Sequence, residues 1–299
     1  MNRVLAIVVT HNGMQWIDRC LQSLRESSLR CDVFVVDNAS TDGTPEHVAL
    51  AFPEVELIES KENTGFGAAN NIGMRHALEK GYDYVYLLNQ DAWILPDTLD
   101  ILVSTHSLQG SFGILSPMQM TAGLSAPDRQ FGSRVIPSSP SFKADMESGR
   151  LQPFYVVPRV MAAHWLITRE CLMETGLFAP VFPHYGEDDN YCDRARHHGF
   201  EVVVVPSAKA VHDREFRVEP KEKVIYRNFR MTSLVRLCDI NRSMLGAMLY
   251  VPVFALVKSL KYRSMLPWKH LKELVGLSWE IRRTRAETLG KAAFLNDKR

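Results

Sequence analysis

The sequence predicts an α/β fold, an open sheet of buried strands flanked by helices and followed by a helical tail. Three observations predict it. Short apolar runs rich in Val, Ile and Tyr alternate with segments of helical spacing, the pattern of strands buried on both faces. Several runs stop abruptly in polar, carboxylate-bearing loops, and in open sheets of this kind ligands bind outside the carboxyl ends of the strands. The charge is also divided: residues 1–213 carry 16 Lys and Arg against 26 Asp and Glu, whereas residues 214–299 carry 19 against 8, although the net charge is only +1.

The first strand, Val4 to Val9, follows Met1-Asn2-Arg3 with no signal-peptide apolar region or cleavage site. It ends in Thr10-His11-Asn12-Gly13. Met14 to Ser27 then places Trp16, Ile17, Cys20, Leu21 and Leu24 at helical spacing. Asp32 to Val36 is a second strand, ending in Asp37-Asn38-Ala39-Ser40-Thr41-Asp42-Gly43-Thr44, and Thr44-Pro45-Glu46 opens another helix. Val55 to Glu59 is a third, short strand. The loop Asn63-Thr64-Gly65-Phe66-Gly67-Ala68-Ala69-Asn70-Asn71-Ile72-Gly73 leads into a helix over Met74 to Lys80. Its small residues let the backbone approach a ligand, and free amides at a helix start favour phosphate. The loop lacks both the Gly-Lys-Ser/Thr ending of a P-loop and the glycine spacing of a dinucleotide fold, which speaks against an ATPase or a dehydrogenase.

The strand Tyr84 to Leu88 is apolar throughout and stops at Asn89-Gln90-Asp91. Asp91 therefore stands where a charged substrate or a metal would be held, or else caps a helix near Pro96. Pro96 to Gln109 reads as helix and Phe112 to Pro117 as strand. Between Thr121 and Pro158, five prolines and no sustained apolar run predict a long irregular insertion. Val160 to Glu174 returns to strand and helix. Glu187-Asp188-Asp189 then heads a helix over Asp189 to His198. Clustered carboxylates repel, which makes one of them usable as a base near neutral pH; acids at a helix start also cap it and complement its dipole. Val202 to Val205 is a last strand, leading to His212, a structural residue or a ligand. The five cysteines are widely spaced with no CxxC, so neither a zinc site nor a disulfide framework is indicated and a reducing compartment is expected.

Taken in order, Val8-Val9-Thr10-His11-Asn12, Val36-Asp37 through Thr44, Asn63-Thr64-Gly65-Phe66 through Asn70-Asn71, Leu88-Asn89-Gln90-Asp91, Tyr185-Gly186-Glu187-Asp188 and His212 resemble the family 2 glycosyltransferases, most of all their rhamnosyltransferase-like branch. The resemblance covers roughly residues 3–215. It implies a GT-A fold, a Rossmann-like mixed sheet that binds nucleotide-diphosphate sugars, and an inverting transfer from such a donor, dTDP-rhamnose or a UDP-sugar. It places Thr10, His11, Asn12 and Asp37 at the nucleobase and ribose, and Asn63, Gly65 and Asn70 at the ribose and diphosphate. Asn89, Gln90 and Asp91 take the place of the family's DxD-like motif, with Asp91 on a divalent cation, Mg2+ or Mn2+, and His212 completing its shell. Glu187 and Asp188 match the family's Glu-Asp pair, with Asp188 as base. Three residues depart from the pattern: Asn89 replaces the first Asp of DxD, Asn190 stands where a second Asp is frequent, so that Asp189 could exchange roles with Asp188, and Ala179 replaces an acid on the acceptor side.

These readings divide the chain into a catalytic domain, residues 1–215, and a basic, amphipathic helical region, residues 216–299. Ser243 to Val257 has no charge but is shorter than a bilayer span and contains Pro252. With Trp268, Trp279 and many Lys and Arg around it, it reads as a segment lying in a membrane interface, or as a helix packed on the catalytic domain or a second subunit. A cytoplasmic enzyme is expected, peripheral on the inner face of the cell membrane. It would extend a cell-surface glycan or glycolipid, its partners being the donor, a lipid-linked or glycan acceptor and an anionic membrane, with no nucleic acid. A sugar nucleotidyltransferase would need a basic Gly-rich loop where Thr10-His11-Asn12-Gly13 stands. A lapsed scaffold docked on membranes through the tail is opposed by the presence of both Asp91 and Asp188.

Overall fold

The computed structural model describes residues 2–108, 110–213 and 220–296. Strands β1 (Val4–Thr10), β2 (Asp32–Asp37), β3 (Glu56–Glu59), β4 (Tyr84–Asn89), β5 (Ala92–Ile94), β6 (Phe112–Met120), β7 (Tyr155–Val156), β8 (His164–Thr168) and β9 (Glu201–His212) form one mixed sheet in the order β3-β2-β1-β4-β8-β6-β9-β5, with β7 paired to β9. The first four strands of that order are parallel. β8 runs antiparallel to both β4 and β6, β6 and β9 are parallel, and β5 is antiparallel to β9. One edge of the sheet therefore collects the carboxyl ends of β1, β2, β4 and β9 and the amino end of β8.

The helices are α1 (Ile17–Arg25), α2 (Thr44–Ala51), α3 (Phe66–Lys80), α4 (Thr98–His106), α5 (Pro140–Ser148), α6 (Arg169–Thr175), α7 (Glu187–His197), α8 (Lys221–Ile225), α9 (Thr232–Cys238), α10 (Met244–Tyr262), α11 (Leu266–Gly276) and α12 (Ser278–Leu289). Alternation along each strand splits the core into two layers. Val4, Ala6 and Val8 face α1 and α4, while Leu5 and Ile7 face α3 and a larger cluster. That larger cluster joins Trp165, Phe178 and Tyr191 to Phe229, Leu234, Val251 and Ile281, so the tail helices share a core with the sheet. The expected boundary at 215/216 lies outside the described residues.

Five expectations are corrected. α3 begins at Phe66, two turns before Met74, because packing outweighs the low helix propensity of glycine. A side chain at Gly73 would come within 2.8 Å of Ile7, so this glycine lets α3 lie close on β1. The predicted irregular insertion holds ordered pieces, a wide π-helical stretch at Phe131–Val135, α5 and β7; Phe142 of α5 stacks on Tyr155 of β7 with ring centres 4.3 Å apart. Asp91 sits in the turn from β4 to β5, three residues too short to read as a strand, and caps no helix. β9 runs on from Val205 to His212, carrying that histidine inside the sheet. The helix predicted to end at Gln109 stops at His106, and Gln109 itself lies outside the described residues.

Candidate active site

At the collecting edge, the polar ends of β1 and β4 are joined through Gln90. Its Oε1 accepts from the Thr10 hydroxyl and from the His11 backbone N–H, each at 2.8 Å, and its Nε2 donates to the His11 carbonyl at 3.2 Å. The end of β2 is tied to the Gly-rich loop through Asn38, which donates to Asn63 Oδ1 at 2.9 Å and accepts from the Thr64 N–H at 2.9 Å. Asp37 is buried and accepts from the Ser40 N–H and hydroxyl. Left-handed backbone at non-glycine residues recurs along this edge, at Asn12 (φ 49°), Ala39 (φ 62°) and Tyr185 (φ 68°). Such strain persists where surrounding structure enforces it, and it gathers at functional sites.

Asp91, half-buried, and His212, buried, come from adjacent strand ends: Ala92 pairs with His212, and the Asp213 N–H donates to the Asp91 carbonyl at 2.9 Å. His212 Nε2 lies 3.4 Å from Asp91 Oδ1. Behind His212, the His164 ring stands edge-on with centres 6.4 Å apart, between the Tyr86 hydroxyl and the Val211 carbonyl, each at 3.0 Å. Burial pushes the His164 imidazole down to about 3, so it is neutral, with Nε2–H donating to Val211 and Nδ1 accepting from Tyr86. No cluster of three or more His, Cys, Asp or Glu suited to a metal occurs among the described residues. An oxygen and an imidazole nitrogen 3.4 Å apart do fit one small divalent cation, which uses one or two protein ligands when phosphate oxygens complete its shell.

The acids stand at the start of α7, entered through the left-handed Gly186. Glu187 is buried, and its Oε2 has no hydrogen-bond partner among the described residues. Asp188 is half-buried and accepts from the Asp189 N–H at 2.8 Å and from the Ala162 N–H. Asp189 instead pairs with Arg134 at 3.4 Å and Arg159 at 3.7 Å, both from the insertion segment and its end. Burial, and then the neighbouring carboxylate, push both Glu187 and Asp188 well above the usual carboxylate range. Asn190 is fully buried and accepts from Arg194, and Ala179 is in the core, so neither departure from the family pattern opens onto the site.

These segments meet. The Asn89 N–H donates to the Ala163 carbonyl at 3.1 Å, next to the amide that Asp188 accepts from. A side chain on Gly65 would come within 2.3 Å of the Pro183 carbonyl, and one on Gly67 within 3.7 Å of Glu187 Cβ. His11, Asn12 and Asn63 are exposed there, and Gly65, Asn89, Gln90 and Asp91 are half-buried. Asn70 is turned inward, donating to the Phe66 carbonyl at 2.9 Å. Asn38, His164, Arg134 and Arg159 were not singled out from the sequence. Asn38 stands inside the motif that carries Asp37, but nothing in the sequence marks a lone histidine in an apolar strand or an arginine in a segment without pattern.

Residues 5–111 match the model of the family described as glycosyl transferase family 2. They are a glycosyl transferase family 2 domain. The chain is 28% identical over 244 residues, 71% of this chain and 76% of the relative, to the N-acetylglucosaminyl-diphospho-decaprenol L-rhamnosyltransferase of Mycobacterium tuberculosis. It is 35% identical over 104 residues, 34% of this chain and 43% of the relative, to the undecaprenyl-phosphate mannosyltransferase of Micrococcus luteus. Its fold is similar to that of a mannosyltransferase from Pyrobaculum calidifontis in complex with GDP-Man and Mn2+, with TM-score 0.61 and 22% identity over 96% of this chain and 84% of that one. The fold of this chain is thus GT-A-like, with the C-terminal helices added to it.

Proposed function

We propose that this family 2 glycosyltransferase moves a sugar, with inversion, from a dTDP- or UDP-linked donor to a lipid-linked glycan acceptor in the synthesis of a cell-surface polysaccharide, working on the cytoplasmic face of the membrane. The observation that carries the reading is the difference between two adjacent acids: Asp189 is ion-paired with Arg134 and Arg159, while Asp188 accepts from backbone amides and is raised in pKa. A base must be a carboxylate near neutral pH yet hold a proton well, and Asp188 meets both conditions. The polyprenyl-linked names of the two relatives support a lipid-linked acceptor, and the rhamnosyltransferase supports a deoxyhexose donor.

In this reading residues 1–215 are the catalytic part and residues 216–299 bring it to the membrane. The acceptor hydroxyl attacks the anomeric carbon, its proton passes to the Asp188 carboxylate, and the bond to the β-phosphate oxygen breaks on the opposite face. His11, Asn12 and Asn63 hold the nucleoside, with Asp37 and Thr10 fixing their loops and Asn70 fixing the first turn of α3. Gly65 leaves room for the diphosphate. Glu187, largely protonated near neutrality, keeps a second negative charge away from the base. A divalent cation, Mg2+ or Mn2+, would be held by Asp91 and His212 and would neutralise the departing diphosphate.

The test is a thermal-shift screen of the whole chain with Mg2+ or Mn2+ and dTDP, UDP, GDP and their sugars, on the wild type, Asp91→Ala and Asp188→Asn. A cation-dependent shift with one nucleotide, absent in Asp91→Ala and present in Asp188→Asn, is expected. No shift with any nucleotide would sink the reading.

A further inference from the structure

Helix α10 presents its apolar face outward. Leu245, Met248, Leu249, Val253, Leu256, Val257 and Leu260 recur at helical spacing and are all at least 50% exposed. The opposite face is packed: Ala247, Val251 and Ala255 are buried, Phe254 stacks on Phe229 with ring centres 5.7 Å apart, and the Arg236 guanidinium lies 3.7 Å from the Tyr250 ring centre. A soluble helix of this composition would be turned the other way.

The charge around this face indicates what covers it. Residues 244–257 hold no charge, and Lys258, Lys261 and Arg263 follow at the C-terminal end. No carboxylate occurs anywhere in residues 244–263, so a second copy laid on this face would bring nothing from the same helix to meet those cations. An anionic lipid surface supplies both an apolar layer and negative headgroups. At 19 residues α10 is nearly long enough to cross a bilayer, but crossing would strip Phe254, Tyr250 and the buried alanines from the core they share with the sheet.

We infer that α10 lies in the plane of an anionic membrane, with the row from Leu245 to Leu260 in the acyl boundary and Lys258, Lys261 and Arg263 among the headgroups. This docking also orients the site. Tyr262, at the basic end of α10, accepts from Asn228 Nδ2 at 3.3 Å; the neighbouring Arg227 lies 5.9 Å from the ring centre of Tyr185, which is two residues before Glu187. The basic end of α10 is thus linked through two contacts to the loop that bears the acids. The inference rests on the proposed lipid-linked acceptor for its purpose, but not for its test.

The test is co-sedimentation of the full chain with phosphatidylcholine vesicles, with and without phosphatidylglycerol. It is run on the wild type, on Leu249→Ser with Leu256→Ser, and on Lys261→Glu with Arg263→Glu, with circular dichroism melting as the check on folding. Wild-type binding that needs phosphatidylglycerol, weakened about tenfold or more in both double variants at unchanged melting temperature, is expected. Binding unaffected by either double variant would overturn the inference. So would retention in membranes after alkaline carbonate extraction, which indicates a span, or a dimer without vesicle binding that the serine pair dissolves. The nucleotide thermal shift is read on the same samples. Vesicle binding without a nucleotide shift would leave the docking standing and sink the transferase reading, and the reverse pattern would sink the docking alone.

Discussion

Asp188 and Asp189 share one turn of α7, yet the second is ion-paired with Arg134 and Arg159, while the first feels Arg134 only through its field. Asp188→Asn should therefore lower kcat by about 10²- to 10⁴-fold without changing the donor-induced thermal shift, and Asp189→Asn should cost far less. Because Asp188 is raised to about 6, the wild-type rate should fall as pH drops through about 6, where the carboxylate takes up its proton. Arg134 opposes that rise, so Arg134→Met should move the acid limb to higher pH; a pH–rate profile checks both, and an unmoved limb would reassign the base. Glu187 gives a stability prediction of opposite flavour. Its folded pKa is raised above the ordinary glutamate value of 4.5, so between that value and about 8 the folded state binds more protons than the unfolded one, and stability falls as pH rises. Thermal melts from about pH 5 to pH 8 should show this decline, and Glu187→Gln should flatten it.

At the scale of elements, Gly65 joins the Gly-rich loop to the loop that leads into Glu187 and Asp188. Its φ of +85° with ψ of 169° belongs to a region that is essentially glycine-only, and a Cβ there meets the Pro183 carbonyl at 2.3 Å. Gly65→Ala should destabilise by about 1–3 kcal/mol in urea unfolding and weaken both nucleotide binding and transfer. Gly43→Ala is the control: φ is similar, +86°, but nothing lies within 4 Å, so the cost should be about 1 kcal/mol with binding retained. The parallel strands β1, β2 and β4 and their polar ends were legible in the sequence because each is built on an unbroken apolar run closed by a motif. β5 and β7 were not, being too short for any period to show, and α5 was hidden by the prolines around it. The strand ends bearing Asp37 and Asp91 could be foreseen for the same reason, whereas β9 runs seven residues past the expected end at Val205 before it reaches His212. The pairing of Asp189 with Arg134 and Arg159 could not, since it depends on how residues far apart in sequence fold back over α7.

Across the whole molecule, the last described residues reach back to brace α3, α6 and the loop that follows α6. The Leu177 N–H donates to the Ala293 carbonyl at 2.9 Å, the Ala292 N–H to the Glu174 carbonyl at 2.8 Å, and Arg75 of α3 to the carbonyls of Phe294 and Leu295. The Ala293 backbone fills the space beside Gly176, where a side chain would meet it at 2.0 Å. The fully buried Arg194 of α7 donates to the Thr175 and Leu177 carbonyls of the same loop, 3.0 and 2.7 Å away. Since that loop leads into the segment bearing Glu187 and Asp188, the C-terminal segment fixes the acids through Arg194 rather than by touching them. Truncation after Lys291 should therefore destabilise the chain by at least the ~0.5–3 kcal/mol of a typical single substitution, since it removes several buried contacts at once. It should lower kcat more than it weakens the nucleotide shift, because the β1 and β4 edge that carries Thr10 and Gln90 is built without it. A fragment of residues 1–215 should fare worse, exposing the side of the core that Phe229, Leu234, Val251 and Ile281 cover. Urea titrations of the three chains would measure this, and a fragment as stable as the whole would mean that the sheet does not need the tail helices to fold.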